Sequence, residues 1–468
     1  MEIASWSPIS YSKSWWIISR FPKTDRIKSI VKFSDPSIMD NMKHDDQVNC
    51  DFFNQVSQLF HDTPSPNMRN KNAENSDYSD VVVYSKNAYL SNTVINWCEN
   101  VIYSISIKDN STNIIDSMMV WNNCSNIFTS KNVINSYNVF YSKNIHNSSD
   151  IWFSTNLIWC HNCIWCDSLE NKTYHINNNA YTKDQFDEEL KKLSKNQFIQ
   201  NYTDVLKKKT TNLLCEQTNG ISNIECENLD NWYYCYNVKN GKNLFLHGSA
   251  LGSEYAYDCY TWWSPQVKNF YAVNASWNGE YYYCCVGNDW GSNMFYSINC
   301  DNCSFCLGCI WLKNKSYCIL NKQYTKEERY EKVDEIFSQM EQDGTLGEFF
   351  PATMNPFYFN DTAAYLIDPT FTKEEVTAKW YLRRDEPIKV DIPEGMDVVQ
   401  TTELDQYEWY DNEWNRTINA DILKKVIQDE QGNVYRIIPM EYKFLVKHWL
   451  PLPRKHRLER MKENFRIQ

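Results

Sequence analysis

Between Ser85 and Tyr174 one short pattern recurs: Cys or Ser, any residue, Asn or Asp, then an apolar residue or Cys. The copies read Cys98/Asn100/Val101, Ser111/Asn113/Ile114, Cys124/Asn126/Ile127, Ser136/Asn138/Val139, Ser148/Asp150/Ile151 and Cys160/Asn162/Cys163, at steps of 13, 13, 12, 12 and 12 residues. Each unit carries a β-prone run such as "NVFYS" or "DIWFS", too short to bury its own apolar face and able to do so only by stacking on its neighbours. That is the logic of a solenoid. Asparagine suits the bends, because its amide bonds nearby backbone, tolerates left-handed φ and can form a ladder when copies stack. Cys and Ser are small enough for a crowded interior. An antiparallel sandwich would also space short strands evenly, but it does not call for the same residue types at every turn.

A larger duplication encloses these units. "CHNCIWCDSLENKTYHINNNAYTKDQF" from Cys160 returns as "CSFCLGCIWLKNKSYCILNKQYTKEER" from Cys303. The fold class expected is therefore mainly β: a two-module β-solenoid, parallel β-helix-like with a unit of about 12 residues, capping helices and a small C-terminal α+β domain. The helices announce themselves. Thr182 with Gln185, Thr325 with Glu328 and Thr372 with Glu375 are capping boxes. Phe186, Leu190 and Leu193 then share one face, as do Val333, Ile336, Phe337 and Met340. Such helices cover solenoid ends whose bare strand edges would recruit other chains. The resulting layout is an N-terminal irregular or helical segment (1–80), a first module with its helix (81–198), a second with its helix (199–342), a linker with a short helix (343–415) and a C-terminal domain with a basic tail (416–468).

At 468 residues with 42% hydrophobic content the chain can bury several cores. A net charge of −12 excludes a surface that is a nucleic-acid platform throughout. The C-terminal end departs from this, with nine Lys or Arg against three Glu from Arg436 onward. Arg454, Lys455, Arg457 and Arg460 are the candidates for phosphate contact there. No apolar run is long enough to span a membrane, and the opening residues lack the pattern of a signal peptide, so a cytoplasmic location is expected.

Glycine and tryptophan depart from ordinary usage in opposite directions. The chain has 12 Gly and 18 Trp, whereas average usage would give roughly 33 glycines. Trp380 and Trp449 stand where helices should stop, a place that favours glycine.

Taken together, "NAENSDYSDVVVYSKNAYLS", the two "NK.Y.I.N..YTK" cassettes, "GEFFPATMNPFYFNDT", "FTKEEVTAKWYLRRDEP" and "VYRIIPMEYKF…LPLPR" resemble a family of Cys- and Asn-rich repeat proteins of candidate-phyla-radiation bacteria. The likeness runs from about Asp45 through most of the chain and brings no established activity with it. In that family the positions of Trp165, Trp311, Trp380 and Trp449 look glycine-like, and some lineages read the UGA codon as glycine. The resemblance thus implies that these tryptophans are mistranslated glycines; the alternative is a real aromatic binding face. It also implies a degenerate zinc ribbon, with Gln428 and Gln431 where the first cysteine pair would stand and His456 and Glu459 near the second. Glutamine is a poor zinc ligand, so a metal-free hairpin is expected.

The most chemical-looking feature is the three-residue cysteine spacing, Cys160, Cys163, Cys166 and Cys300, Cys303, Cys306, Cys309. Thiolates so spaced can wrap zinc or an iron–sulfur cluster. They also fall in register with serines of the other repeats, which favours small core residues; disulfides are a third reading. No resident cofactor is expected, with zinc the one alternative. Asp258, Asp289 and Asp301 could line a face of a carbohydrate-active solenoid, but read better as turn residues. The function expected is a non-enzymatic scaffold or binding protein with an unidentified protein partner; association with nucleic acid through the tail and carbohydrate-active chemistry are the alternatives.

Overall fold

The computed structural model describes residues 51–66, 68–192, 291–355 and 416–465 without interruption, shorter stretches between 357 and 411, and isolated strand segments elsewhere. In the first module each coil gives one four-residue strand to each of two parallel sheets. Eight strands from Asp80–Val83 to Asp167–Glu170 form one sheet. Strands from Lys86–Tyr89 to Thr173–Ile176 form the other, closed by the antiparallel Asn179–Ala180. Like pairs with like: Thr112 lies opposite Ser125 and Ile114 opposite Ile127. Lys71 and Glu74 already bridge to Val83 and Lys86, so the first coil starts among residues that the sequence places in the N-terminal segment.

The working unit is finer than the 12-residue repeat. From Val81 to Asn177 a residue with φ near 50–60° recurs at every third position, and most are followed by one whose side chain faces inward; exposed Lys172, after Asn171, is an exception. The triplet is inward, outward, left-handed. Val101, Ile114, Ile127, Val139, Ile151 and Cys163 stack along the axis with 0% exposure. Burying a Val or Ile contributes about 1.5–3 kcal/mol, which offsets the roughly 1–2 kcal/mol that a left-handed residue with a Cβ costs. Where coils run to 13 residues, the addition is a second left-handed residue at one corner: Trp97 after Asn96, Asn110 after Asp109, Asn123 after Asn122.

Serine occupies the inward corner for a reason beyond size. The Ser104 hydroxyl donates to the Ile102 carbonyl at 2.7 Å and accepts the Ser117 N–H at 3.1 Å. The same relay runs from Ser117 to Ser130, Ser142, Ser154 and Cys166. Corner N–H groups inside a dry coil would otherwise lack an acceptor, at a cost of about 1–3 kcal/mol each.

Helices pack against successive coils of each module. Helix α1, Phe52–Asp62, begins at Asp51, whose carboxylate accepts from the Asn54 N–H at 2.7 Å. Its buried Phe52, Val56 and Leu59 lie on the second module beside Ile298, Leu307 and Leu320. The approach is so close at Gly308 (φ 62°) that a Cβ would meet Phe52, Val56 and Leu320 at 3.1 Å. Helix α2, Lys183–Lys192, and helix α3, Lys326–Gln342, both carry the expected capping boxes. Phe186 of α2 is buried on Ile164 and Ile176, which pair between two successive coils. Val333 and Met340 of α3 are buried on the second module, with Ile336 and Phe337 packed beside them; Leu193 lies outside the described residues. In the described part of the second module, parallel strands Lys268–Phe270, Glu280–Tyr283, Ser292–Phe295, Ser304–Leu307 and Cys318–Ile319 end in the antiparallel Lys322–Gln323.

After helix α4, Lys373–Ala378, comes the α+β region. Strand Val398–Gln400 pairs parallel with Val426–Gln428, which pairs antiparallel with Val434–Tyr435. Residues assigned to the linker by sequence therefore belong to this sheet. Helices α5, Pro439–Lys447, and α6, Arg457–Phe465, complete it. The region docks sideways on the first module: Phe444, Leu445 and Leu450 cover the outward column Ile102, Ile115, Phe128 and Phe140.

Trp165, Trp311, Trp380 and Trp449 have φ of 53°, 57°, 57° and 55°, and Trp97 and Trp159 are left-handed too. The other described tryptophans, Trp121, Trp152 and Trp409, sit in strands. Trp277 falls in the short strand Ser276–Trp277, and Trp290 lies outside the described residues.

Candidate functional site

The triplet explains the cysteine spacing. Cys160, Cys163 and Cys166 take successive inward positions of one coil, and Cys300, Cys303, Cys306 and Cys309 do so in the second module; all are buried. Each thiol donates to the carbonyl two residues back, as the serines do: Cys160 to Ile158 at 3.3 Å, Cys166 to Ile164 at 3.3 Å, Cys306 to Ser304 at 3.4 Å. Cys124 even accepts the Ser136 N–H at 3.4 Å. Burial pushes the Cys98 and Cys124 thiols up to about 12. Within the triad, a hydrogen bond from Cys163 holds Cys160 down to about 7, and hydrogen bonding to both neighbours pushes Cys163 up. One S–H cannot serve the His161 carbonyl, Cys160 and Cys166 at once, so these three acceptors compete for the Cys163 proton. Among the described residues no three His, Cys, Asp or Glu side chains have the arrangement of a metal site.

The tail residues are engaged within the chain. Arg460 pairs with Asp116 of the solenoid and, at 3.2 Å, with Glu441 of α5; both carboxylates are 1% exposed. Its guanidinium lies over the Tyr103 ring. Arg454 donates to the Thr401 carbonyl at 2.9 Å and to Asp405 at 2.5 Å. Arg457 is half-buried and Lys455 exposed. The sequence marked Arg460 only as a candidate phosphate contact; its partner Asp116 is 344 residues away, and no pattern in the sequence links them.

The ribbon-like segment is a hairpin of Val426–Gln428 and Val434–Tyr435. Asp429, 6% exposed, holds its turn by accepting the Gln431 and Asn433 N–H groups at 3.0 and 2.8 Å and the His456 N–H at 3.2 Å. This contact brings the Gln428–Gln431 segment to the His456–Glu459 segment. Gln428 spends its amide on the Gly432 carbonyl and Gln400, and burial lowers His456 to about 4. The four side chains do not make a zinc donor set.

Asp301 lies opposite Lys313 in the next coil, Asp289 falls in the strand Asn288–Asp289, and Asp258 is outside the described residues.

Sequence inspection missed the groove beside α5. On the outside of the first module an amide ladder runs from Asn75 through Asn87, Asn100, Asn113, Asn126 and Asn138 to Asp150, each Nδ2 donating to the next Oδ1 at 2.8–3.2 Å. Its first four members form one wall of a cavity of about 590 Å³, Tyr89, Ile102 and Ile115 the floor, and Met440, Lys443 and Lys447 the other wall. The ladder was foreseeable from the recurring Asn. The opposite wall required the docking of a helix more than 320 residues further on.

No protein-family model and no curated protein matches the chain. Among solved structures, a protein described as a "putative acetyltransferase" from Desulfovibrio desulfuricans is similar at 10% identity, covering 52% of this chain and 63% of its own, with a TM-score of 0.11. The chain thus spans less than two thirds of that protein, and a likeness of this degree carries no argument. Among the described residues no helix is long and apolar enough to cross a membrane.

Proposed function

We propose that the protein is a non-enzymatic β-solenoid scaffold or binding protein. The observation that carries this reading is the structural employment of the side chains that could do chemistry. The thiols and hydroxyls satisfy corner backbone, and Arg454 and Arg460 tie the C-terminal region together and to the first module. Two measurements on the full chain test it. Release of reducing ends from any polysaccharide would replace it with carbohydrate-active chemistry. Salt-sensitive retention on RNA or DNA that falls on changing Arg454→Gln and Lys455→Gln would replace it with nucleic-acid association.

The same proposal takes Trp165, Trp311, Trp380 and Trp449 as glycine positions read from recoded UGA, supported by their left-handed φ. UGG codons there, or tryptophan in the matching peptides of the native protein, would remove it. The C-terminal region is taken as a degenerate zinc ribbon, supported by the meeting of its two segments at Asp429.

A further inference from the structure

We propose that the groove between the amide ladder and α5 binds an extended acidic glycan. The inference rests on the binding-protein reading and adds the ligand class.

A side-chain amide has two N–H donors and two acceptor lone pairs. Asn87, Asn100 and Asn113 each spend one donor and one acceptor along the ladder, at 3.0–3.2 Å. Each therefore keeps one of both for whatever fills the cavity they line. These free valences recur at the strand spacing, roughly 4.7–4.9 Å. A matching ligand presents donors and acceptors together at a similar interval. Hydroxyl-bearing sugar rings in an extended chain do so. A peptide strand repeats its like-facing groups only every ~6.6 Å and falls out of step. Tyr89, Ile102 and Ile115 give the floor an apolar surface for ring faces, and about 590 Å³ is room for a few sugar units.

The charge selects an acidic glycan. Lys443 and Lys447 stand one turn apart on α5, both exposed, and no lining residue is acidic. Glu99, beside the ladder, is already paired with Lys86 at 3.1 Å. A carboxylate on a sugar ring would complete the lysines as Glu99 completes Lys86.

The test is titration calorimetry of the full chain with oligogalacturonate, a neutral β-glucan oligomer and a single-stranded oligonucleotide of equal charge. Saturable binding of oligogalacturonate is expected, tighter than the other two, weakened about tenfold by each of Lys443→Gln and Lys447→Gln. Asn100→Asp, which keeps a residue tolerant of left-handed φ but puts an anion in the wall, should abolish it, with circular dichroism confirming the fold. Absent binding, or binding indifferent to both lysine changes, overturns the proposal, as does tighter binding of the oligonucleotide through the same lysines. Absent glycan binding, or binding indifferent to the lysines, leaves the non-enzymatic reading standing; that reading fails separately, if the glycan is cleaved, read as new reducing ends, or if nucleic acid is retained through Arg454 and Lys455.

Discussion

At the scale of single residues, left-handed φ sets what each side chain does for stability. Trp380 is 82% exposed at φ 57°, so its ring gains little from packing while its backbone carries the Cβ penalty. Trp380→Gly should raise stability by about 1 kcal/mol. Trp152 is the contrast: it sits in a strand and stacks on Phe140 with ring centroids 4.2 Å apart. Trp152→Gly should cost about 3–5 kcal/mol. Urea denaturation of the two variants checks both signs, and a loss on Trp380→Gly would contradict the conformational argument. The sequence made Trp380 and Trp449 visible as misfits at helix ends. It did not reveal Trp97 and Trp159, because the three-residue period that makes their positions left-handed is hidden under varied outward residues.

At the scale of the element, the coil is held by ladders whose members carry two duties. Asn113 accepts from Asn100 at 3.0 Å, donates to Asn126 at 3.2 Å, and sits at φ 56°. Asn113→Gly loses the amide bonds alone, about 1–2 kcal/mol for the pair. Asn113→Ala loses them and adds roughly 1 kcal/mol of left-handed strain. Hydrogen exchange in the strand Thr112–Ile115 should rank wild type, Gly, then Ala; equal losses would show that the ladder alone matters. The Asn column was legible from the repeat, since stacking identical coils superimposes identical residues. The serine relay was only half legible. Size alone marked Ser and Cys as interior, while the N–H group that each must satisfy exists only once the corner is built.

At the scale of the whole molecule, the α+β region is fastened to the first module by one buried charge cluster and an apolar stripe. Arg460→Met would strand Asp116 and Glu441, each 1% exposed, at a cost of about 3–5 kcal/mol. Hydrogen exchange should then rise in α5 and α6 before the distant strands; protection unchanged in those helices would refute the anchor. The same junction is sensitive to acid. Burial lowers His448 and His456 to about 4, helped by Lys447 at the first and Arg457 at the second. Unfolded histidine titrates near 6.5, so between about 6.5 and 4 the unfolded form takes up protons that the folded form refuses. Stability is full above that window and lost as pH falls through it. Burial raises Glu441, which works the other way. His456→Gln should therefore flatten the fall in melting temperature across the window, and an unchanged slope would exclude His456 as a cause. The sequence by itself determined the solenoid, its amide column, the capping boxes and the small interior, because a stack of like coils is written locally and repeated. Which flank the α+β region covers, which carboxylates Arg460 meets, and the groove left beside the ladder were decided by tertiary structure alone, because they depend on surfaces joined across hundreds of residues with no repeat to announce them.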